Sequence, residues 1–166
     1  MTARTAESSA PRPVLLCFDG SDAAACAIAE AGELVGRRNA VVLTVWEPFE
    51  VWEPYDPGAL LGAGIAKLGS KALGLDTIAS DLAREKMQRG VDLARTSGFD
   101  ARGQTAQSKP WQAMCEAAEE LDASTIVLGA RGLSRIQSAL LGGVSAAVLV
   151  HAKRPVLVVP RRHRSS

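Results

Sequence analysis

Short runs of apolar residues alternate along the chain with segments that repeat apolar positions at helical spacing. The runs Pro13 to Phe18 and Ala40 to Trp46 are continuous, which is typical of parallel strands that are covered on both faces. Between them lies a predicted helix, for which Ser21 is a suitable N-cap. The apolar face of this helix is formed by Ala24, Ile28, Ala31 and Val35. The pattern predicts a buried strand, a covering helix and a second buried strand.

The same alternation continues to the end of the chain. Helical spacing returns in Ala79, Ala83, Met87, Val91 and Ala94, and again in Trp111, Met114, Cys115, Ala118 and Leu121. Further strands are predicted at Phe99–Ala106, Thr125–Leu128 and Pro155–Val159, with a short helix ending near His151. This order predicts an α/β fold with a doubly wound parallel sheet of five strands.

Ligands of such sheets bind outside the carboxyl ends of the strands, where the strand order reverses. Asp19 follows the first predicted strand, and a glycine-rich loop beginning at Gly129 follows the fourth. If the first and fourth strands are neighbours, Asp19 and this loop face the same crevice. The sequence therefore predicts where a ligand binds before it indicates which ligand.

The chain length and the positions of prolines and glycines predict one domain with three less regular segments. The chain has 166 residues, which favours a single domain over residues 13–160. A flexible tail is predicted at residues 1–12 and a basic tail at 161–166. An insertion interrupted by prolines and glycines is predicted at about 47–74. Four of the seven aromatic residues lie at its start: Trp46, Phe49, Trp52 and Tyr55. They form either a local cluster at the sheet edge or a lid or partner surface.

Charge and composition exclude several classes of protein. Nineteen Lys and Arg against eighteen Asp and Glu leave a net charge of +1, too little for sequence-independent binding of nucleic acid. The three cysteines contain no C-x-x-C pair, so neither a disulfide framework nor a zinc site is indicated. The longest apolar or glycine run, Gly58 to Ala66, is too short to span a membrane. With no apolar segment resembling a secretory signal near the start, we expect a cytoplasmic location.

The glycine-rich loop is the most informative segment. It reads Gly129-Ala-Arg-Gly132, nine further residues, then Gly142-Gly143-Val144-Ser145 at the start of a predicted helix. Glycines let the backbone approach a phosphate, and the free N–H groups and dipole of a helix N-terminus stabilise its charge. The spacing indicates an anion site. The alternative is a loop that only turns the chain between strand and helix.

This motif resembles that of the universal stress protein family, whose ATP-binding members carry G-x2-G-x9-G-(S/T). The resemblance extends to Val14–Asp22 and Ala117–Gly129, and covers nearly all of the chain from Pro13 to Pro160. It implies the adenine nucleotide alpha hydrolase-like fold with strand order 3-2-1-4-5. It also implies a homodimer formed through the fifth strand, a regulatory role in stress response, and ATP, with Mg²⁺, as ligand.

The resemblance implies roles for individual residues. Asp19 would contact adenine or ribose, unless it serves only as a turn residue, and Val45 would hold the base through its backbone. The residues expected around the ribose and phosphates are Gly129, Gly132, Gly142 and Gly143, with backbone N–H groups from Val144 and Ser145. Arg131, inside the loop, could pair with a phosphate or remain a solvated charge.

One position departs from the family motif. Gly143 stands where the pattern has Ser or Thr, so the backbone N–H is retained but a hydroxyl donor to phosphate is lost. No Ser, Cys or His has a partner that would make it a nucleophile or general base, which favours a binding module over an enzyme. A family member that binds no nucleotide and acts only through protein contacts is the alternative.

Overall fold

The computed structural model describes residues 11–47, 74–130 and 143–160, which form one five-stranded sheet and four helices. The strands are β1 Val14–Cys17, β2 Asn39–Trp46, β3 Asp100–Gln107, β4 Thr125–Ala130 and β5 Val156–Pro160. The helices are α1 Asp22–Val35, α2 Leu75–Thr96, α3 Pro110–Glu120 and α4 Gly143–His151. All neighbouring strands are parallel, in the order β3-β2-β1-β4-β5. The predicted fold class and strand order are confirmed.

Helix α2 begins at Leu75, directly after the predicted insertion and one turn before the apolar stripe that starts at Ala79. The predicted end of the fourth strand was wrong. Strand β4 continues to Ala130, although the sequence placed the start of the loop at Gly129. Because Gly129 pairs with Val159 of β5, it belongs to the sheet.

Two apolar layers explain why the sequences of β1, β2, β4 and β5 are largely hydrophobic. Successive residues of a strand point to opposite faces, and both faces of this sheet are covered by helices. On one face Leu16 and Val42 pack with Ile28 of α1 and Val91 of α2. On the other face the buried residues include Leu15, Leu43, Ile126, Leu128, Ala117 of α3 and Val148 of α4.

The chain reverses its direction of winding between β1 and β4. From β1 it moves outward to β2 and β3 with α1 and α2 on one face, then returns to the other side of β1 with α3 and α4 on the opposite face. Neighbouring strands β1 and β4 are therefore followed by helices on opposite faces. A crevice opens at the carboxyl ends of such a strand pair.

The cysteines are free thiols, and Cys17 lies in the core at the end of β1. Burial, with a smaller effect of Cys115, raises the pKa of the Cys17 thiol. Burial, followed by the nearby Glu116 and Glu119 carboxylates, also raises the pKa of Cys115. Since the thiolate is the nucleophilic form, both residues are poor nucleophiles at neutral pH.

The tail 1–12, the insertion at 47–74 and the basic tail 161–166 lie almost wholly outside the described residues, so this division of the chain stays a prediction. Within the described ranges, no helix is both long enough and apolar enough to cross a membrane.

Candidate functional site

A tight turn at the end of β1 places a carboxylate at the carboxyl edge of the sheet. The Asp19 Oδ1 atom accepts a hydrogen bond from the Ser21 backbone N–H at 2.9 Å, and Gly20 between them has a φ of 86°. The hydroxyl of Ser21 in turn accepts from the Ala24 N–H at 3.2 Å, so Ser21 caps α1 as predicted. Asp19 thus has the turn role that the sequence left open. A carboxylate accepts several hydrogen bonds, so this role is compatible with a ligand contact.

Thr44 joins the ends of β1 and β2 from within the core. Its side chain is 1% exposed, and its hydroxyl donates a hydrogen bond of 2.8 Å to the Phe18 carbonyl. The backbone N–H of Phe18 donates to the Leu43 carbonyl at 2.9 Å. Thr44 could not be recognised from the sequence, because a threonine in a β-branched run is typical of any strand.

The orientation of the peptide groups at Val45 follows from the bonds on either side of it. The carbonyl of Leu43 faces β1, where it accepts from Phe18, and the carbonyl of Trp46 faces β3, where it accepts from the Ser108 N–H. Because successive residues of a strand direct their backbone groups to alternate sides, the N–H and C=O of Val45 face the β1 side. Strand β1 has ended at this level, so both groups point toward the crevice.

Gly129 brings β4 into direct contact with the first turn of α1. A methyl group on Gly129 would overlap the carbonyl oxygen of Ala23 and would lie 2.7 Å from the backbone nitrogen of Ala24. Only glycine fits without movement of the helix backbone. This contact is a structural reason for the first glycine of the motif, independent of any ligand.

The N-terminus of α4 lies on the same side of the sheet. Since β5 is parallel to β4, α4 runs back toward the amino edge and begins on the carboxyl side, at Gly143. The first N–H groups of a helix have no acceptor within it. A Cβ on Gly143 would meet no described atom within 4 Å, and its φ lies outside the left-handed region. Val144 and Ser145 continue this turn.

The structure thus brings the ends of β1, β2 and β4 together and places the start of α4 beyond β4. Arg131, Gly132 and Gly142 lie outside the described residues. Among residues 11–47, 74–130 and 143–160, no group of three His, Cys, Asp or Glu could hold a metal ion. His151, at the end of α4, stacks on Trp111 with ring centroids 4.7 Å apart. At the carboxyl edge of the sheet, the described residues offer hydrogen-bond donors and acceptors and the N–H groups of a helix start.

Fold and edge define a doubly wound α/β domain with a switch point between β1 and β4, the place where domains of this topology bind their ligands. The family model of the universal stress protein family matches residues 11–160, and the chain belongs to this family.

Relatives share nearly the full length of the chain. It is 30% identical over 152 residues to a Thermus aquaticus protein described as a universal stress protein in the QAH/OAS sulfhydrylase 3′ region, covering 89% of this chain and 98% of that one. The fold is similar to a universal stress protein in complex with cAMP, with a TM-score of 0.60, 23% identity, and coverage of 92% and 98%. It is also similar to the Archaeoglobus fulgidus universal stress protein in complex with dAMP, with a TM-score of 0.55, 20% identity, and coverage of 88% and 95%.

Proposed function

We propose that the chain binds ATP, with Mg²⁺, in the crevice at the carboxyl ends of β1, β2 and β4, and that it acts as a regulatory stress-response module rather than as a catalyst. The observation that carries this proposal is the switch point itself. Asp19, the outward-facing peptide groups of Val45 and the N-terminus of α4 all lie on its carboxyl side. Two proteins of similar fold hold cAMP and dAMP, which supports an adenine nucleotide as the ligand class.

The residues of this edge suit the parts of a nucleotide. The N–H and C=O of Val45 offer one donor and one acceptor to the edge of a base, while Asp19 can accept from ribose hydroxyls or the adenine amino group. The exposed start of α4, at Gly143, Val144 and Ser145, offers N–H groups to phosphate. Mg²⁺ is usually held through phosphate oxygens and water, with few protein ligands.

The part of the glycine motif outside the described residues completes the proposed site. We assign Gly132 and Gly142 to the ribose and phosphate contacts, and Arg131 to a phosphate charge. The role of Gly129 is a close approach of the backbone to the ribose and phosphates, in addition to its contact with α1. A cytoplasmic location stays a prediction.

Base selectivity tests the proposal. In calorimetric titrations with Mg²⁺ and millimolar nucleotide, we expect ATP to bind at least about tenfold more tightly than GTP, because guanine presents the wrong donors and acceptors to Val45 and an unmatched polar group costs about 1–3 kcal/mol. Equal affinities would contradict the contact with Val45. Absence of heat from both nucleotides would overturn the proposed function in favour of a family member that acts only through protein contacts.

Restoring the hydroxyl at position 143 is expected to strengthen binding. Gly143 begins α4, and a Cβ there would meet no described atom within 4 Å, so Gly143→Ser introduces a hydroxyl without steric cost among the described residues. A hydrogen bond to a charged group contributes about 1.5–3 kcal/mol, so the Kd for ATP should fall about tenfold or more. Gly143→Ala is the matched control, since it adds the same Cβ without the hydroxyl. Equal Kd values for the two variants would contradict a phosphate at this helix start.

We also propose that two copies associate through β5. This strand is the outer strand of the described sheet, and its outer edge pairs with no described strand. The Ile126 N–H donates to the Pro155 carbonyl, so the alternation along a parallel ladder directs the backbone groups of Val156 and Val158 outward. Val150 of the neighbouring helix α4 is 76% exposed. An unpaired strand edge beside exposed apolar side chains favours pairing with another chain, most often as a two-fold dimer.

A further inference from the structure

Helix α2 brings two basic side chains to the turn after β1. The helix packs closely against the sheet at Gly90, where a Cβ would lie 2.7 Å from Phe18 Cδ1 and 2.8 Å from Val42 Cγ1. At this level α2 passes the end of β1. Lys86 lies one turn before Gly90 on the same side of the helix, and Arg89 directly precedes Gly90.

Both side chains lie against Gly20, the residue that follows Asp19. A Cβ on Gly20 would be 3.2 Å from Arg89 Nη2 and 3.6 Å from Lys86 Cγ and Cδ. The guanidinium of Arg89 and the aliphatic stem of Lys86 therefore cover the turn that forms one wall of the crevice. Glycine at position 20 leaves room for them.

Neither cation forms an ion pair or hydrogen bond with any residue in the described ranges. Other side chains of the same helix do have partners: Arg84 pairs with Asp81 at 3.2 Å, and Gln88 donates to Asp92 at 3.1 Å. Two basic side chains without such a partner among the described residues thus lie against the turn at Gly20, which follows Asp19 in the chain. A pair of this kind attracts an anion, and more strongly the more charge the anion carries.

We propose that Lys86 and Arg89 form a cationic rim that recognises the phosphate chain of the bound nucleotide and favours a triphosphate over a monophosphate. The inference rests on the proposed function and adds a determinant outside the glycine motif. In this proposal α2 distinguishes nucleotides by the charge of their phosphate chain, and β2 recognises the base.

Affinity for AMP and for ATP, measured side by side, tests this assignment. The variants are Lys86→Gln, Arg89→Gln and the double variant, with Arg84→Gln as the matched control: it removes one positive charge from the same helix, but one already paired with Asp81. We expect the double variant to raise the Kd for ATP about tenfold and that for AMP about threefold or less, with single variants in between. Arg84→Gln should change neither. Higher salt should weaken ATP binding more in the wild type than in the double variant.

The outcomes separate the two proposals. If the wild type binds ATP and the double variant keeps the ATP-to-AMP preference of the wild type, the cationic rim is overturned while the proposed function stands. If Arg84→Gln lowers ATP affinity as much as Arg89→Gln, the effect is one of net charge and the assignment is also overturned. If the wild type binds no nucleotide, both proposals fail. Because Lys86 and Arg89 are exposed, unfolding temperatures close to that of the wild type are expected and serve as the folding control.

Discussion

Replacing Gly129 with alanine is expected to destabilise the protein by about 2–3 kcal/mol, since the new methyl group would overlap the backbone of α1 at Ala23. Backbone atoms of a capped helix cannot move aside as the end of a flexible side chain can. For a domain of this size the loss corresponds to a decrease in Tm of about 5–10 °C in thermal unfolding. The destabilisation should be present without nucleotide.

Gly143→Ala is the matched control for this prediction. It makes the same chemical change at the other end of the same motif, at the start of α4, where the new methyl group would meet no described atom within 4 Å. We expect it to leave Tm within about 2 °C of the wild type or slightly above, because alanine loses less backbone entropy than glycine on forming a helix. Similar losses at both positions would contradict the assignment of Gly129 to helix packing.

Blocking the outer edge of β5 is expected to convert the proposed dimer to a monomer. Val158→Pro removes an N–H that faces outward and leaves the ladder to β4 intact, and proline is tolerated on an edge strand. A two-fold interface contains this position twice, and each lost hydrogen bond costs about 0.5–1.5 kcal/mol. Sedimentation equilibrium should therefore show a dimer Kd that is about tenfold to one-hundredfold higher. Lysine at Leu157 would be less specific, since that side chain packs against the core.

Two further measurements distinguish association through the edge of β5 from association through α4. ATP binding by the Val158→Pro variant should stay within about twofold of the wild type, because β5 lies outside the proposed site. Val150→Lys alters an exposed apolar residue of α4 and leaves the strand edge unchanged. If Val158→Pro stays dimeric and Val150→Lys becomes monomeric, the copies associate through the helix face instead.

The element order could be predicted because both faces of the sheet are covered. Each buried strand then appears as a continuous apolar run, as in β1 and β2, and each helix as a stripe at its own period. The strand order 3-2-1-4-5 came from the family resemblance, since alternation alone leaves the position of β4 relative to β1 open. The switch point followed once that neighbour relation was known.

The details of the site depend on contacts between segments that are distant in the chain. The hydroxyl of Thr44 finds its acceptor, the Phe18 carbonyl, only in the assembled sheet. The direction of the Val45 peptide groups requires the register of β2 against β1 and β3. The approach of Lys86 and Arg89 to the turn at Gly20 depends on how closely α2 packs at Gly90. Local propensity contains none of this information. The sequence could therefore indicate candidate residues such as Asp19 and Val45, but not the contacts that orient them.

The location of the nucleotide tests the central claim most directly. Backbone amide spectra of ¹⁵N-labelled protein, recorded while ATP and Mg²⁺ are added, give a separate signal for each residue that has a backbone N–H. We predict shifts at Gly20, Ser21, Val45, Gly129 and the first turn of α4, with Gly36, Gly98 and Ala123 at the amino edge of the sheet unchanged. Shifts confined to the amino edge, or a spectrum unchanged at millimolar ATP, would contradict a nucleotide site at the switch point between β1 and β4.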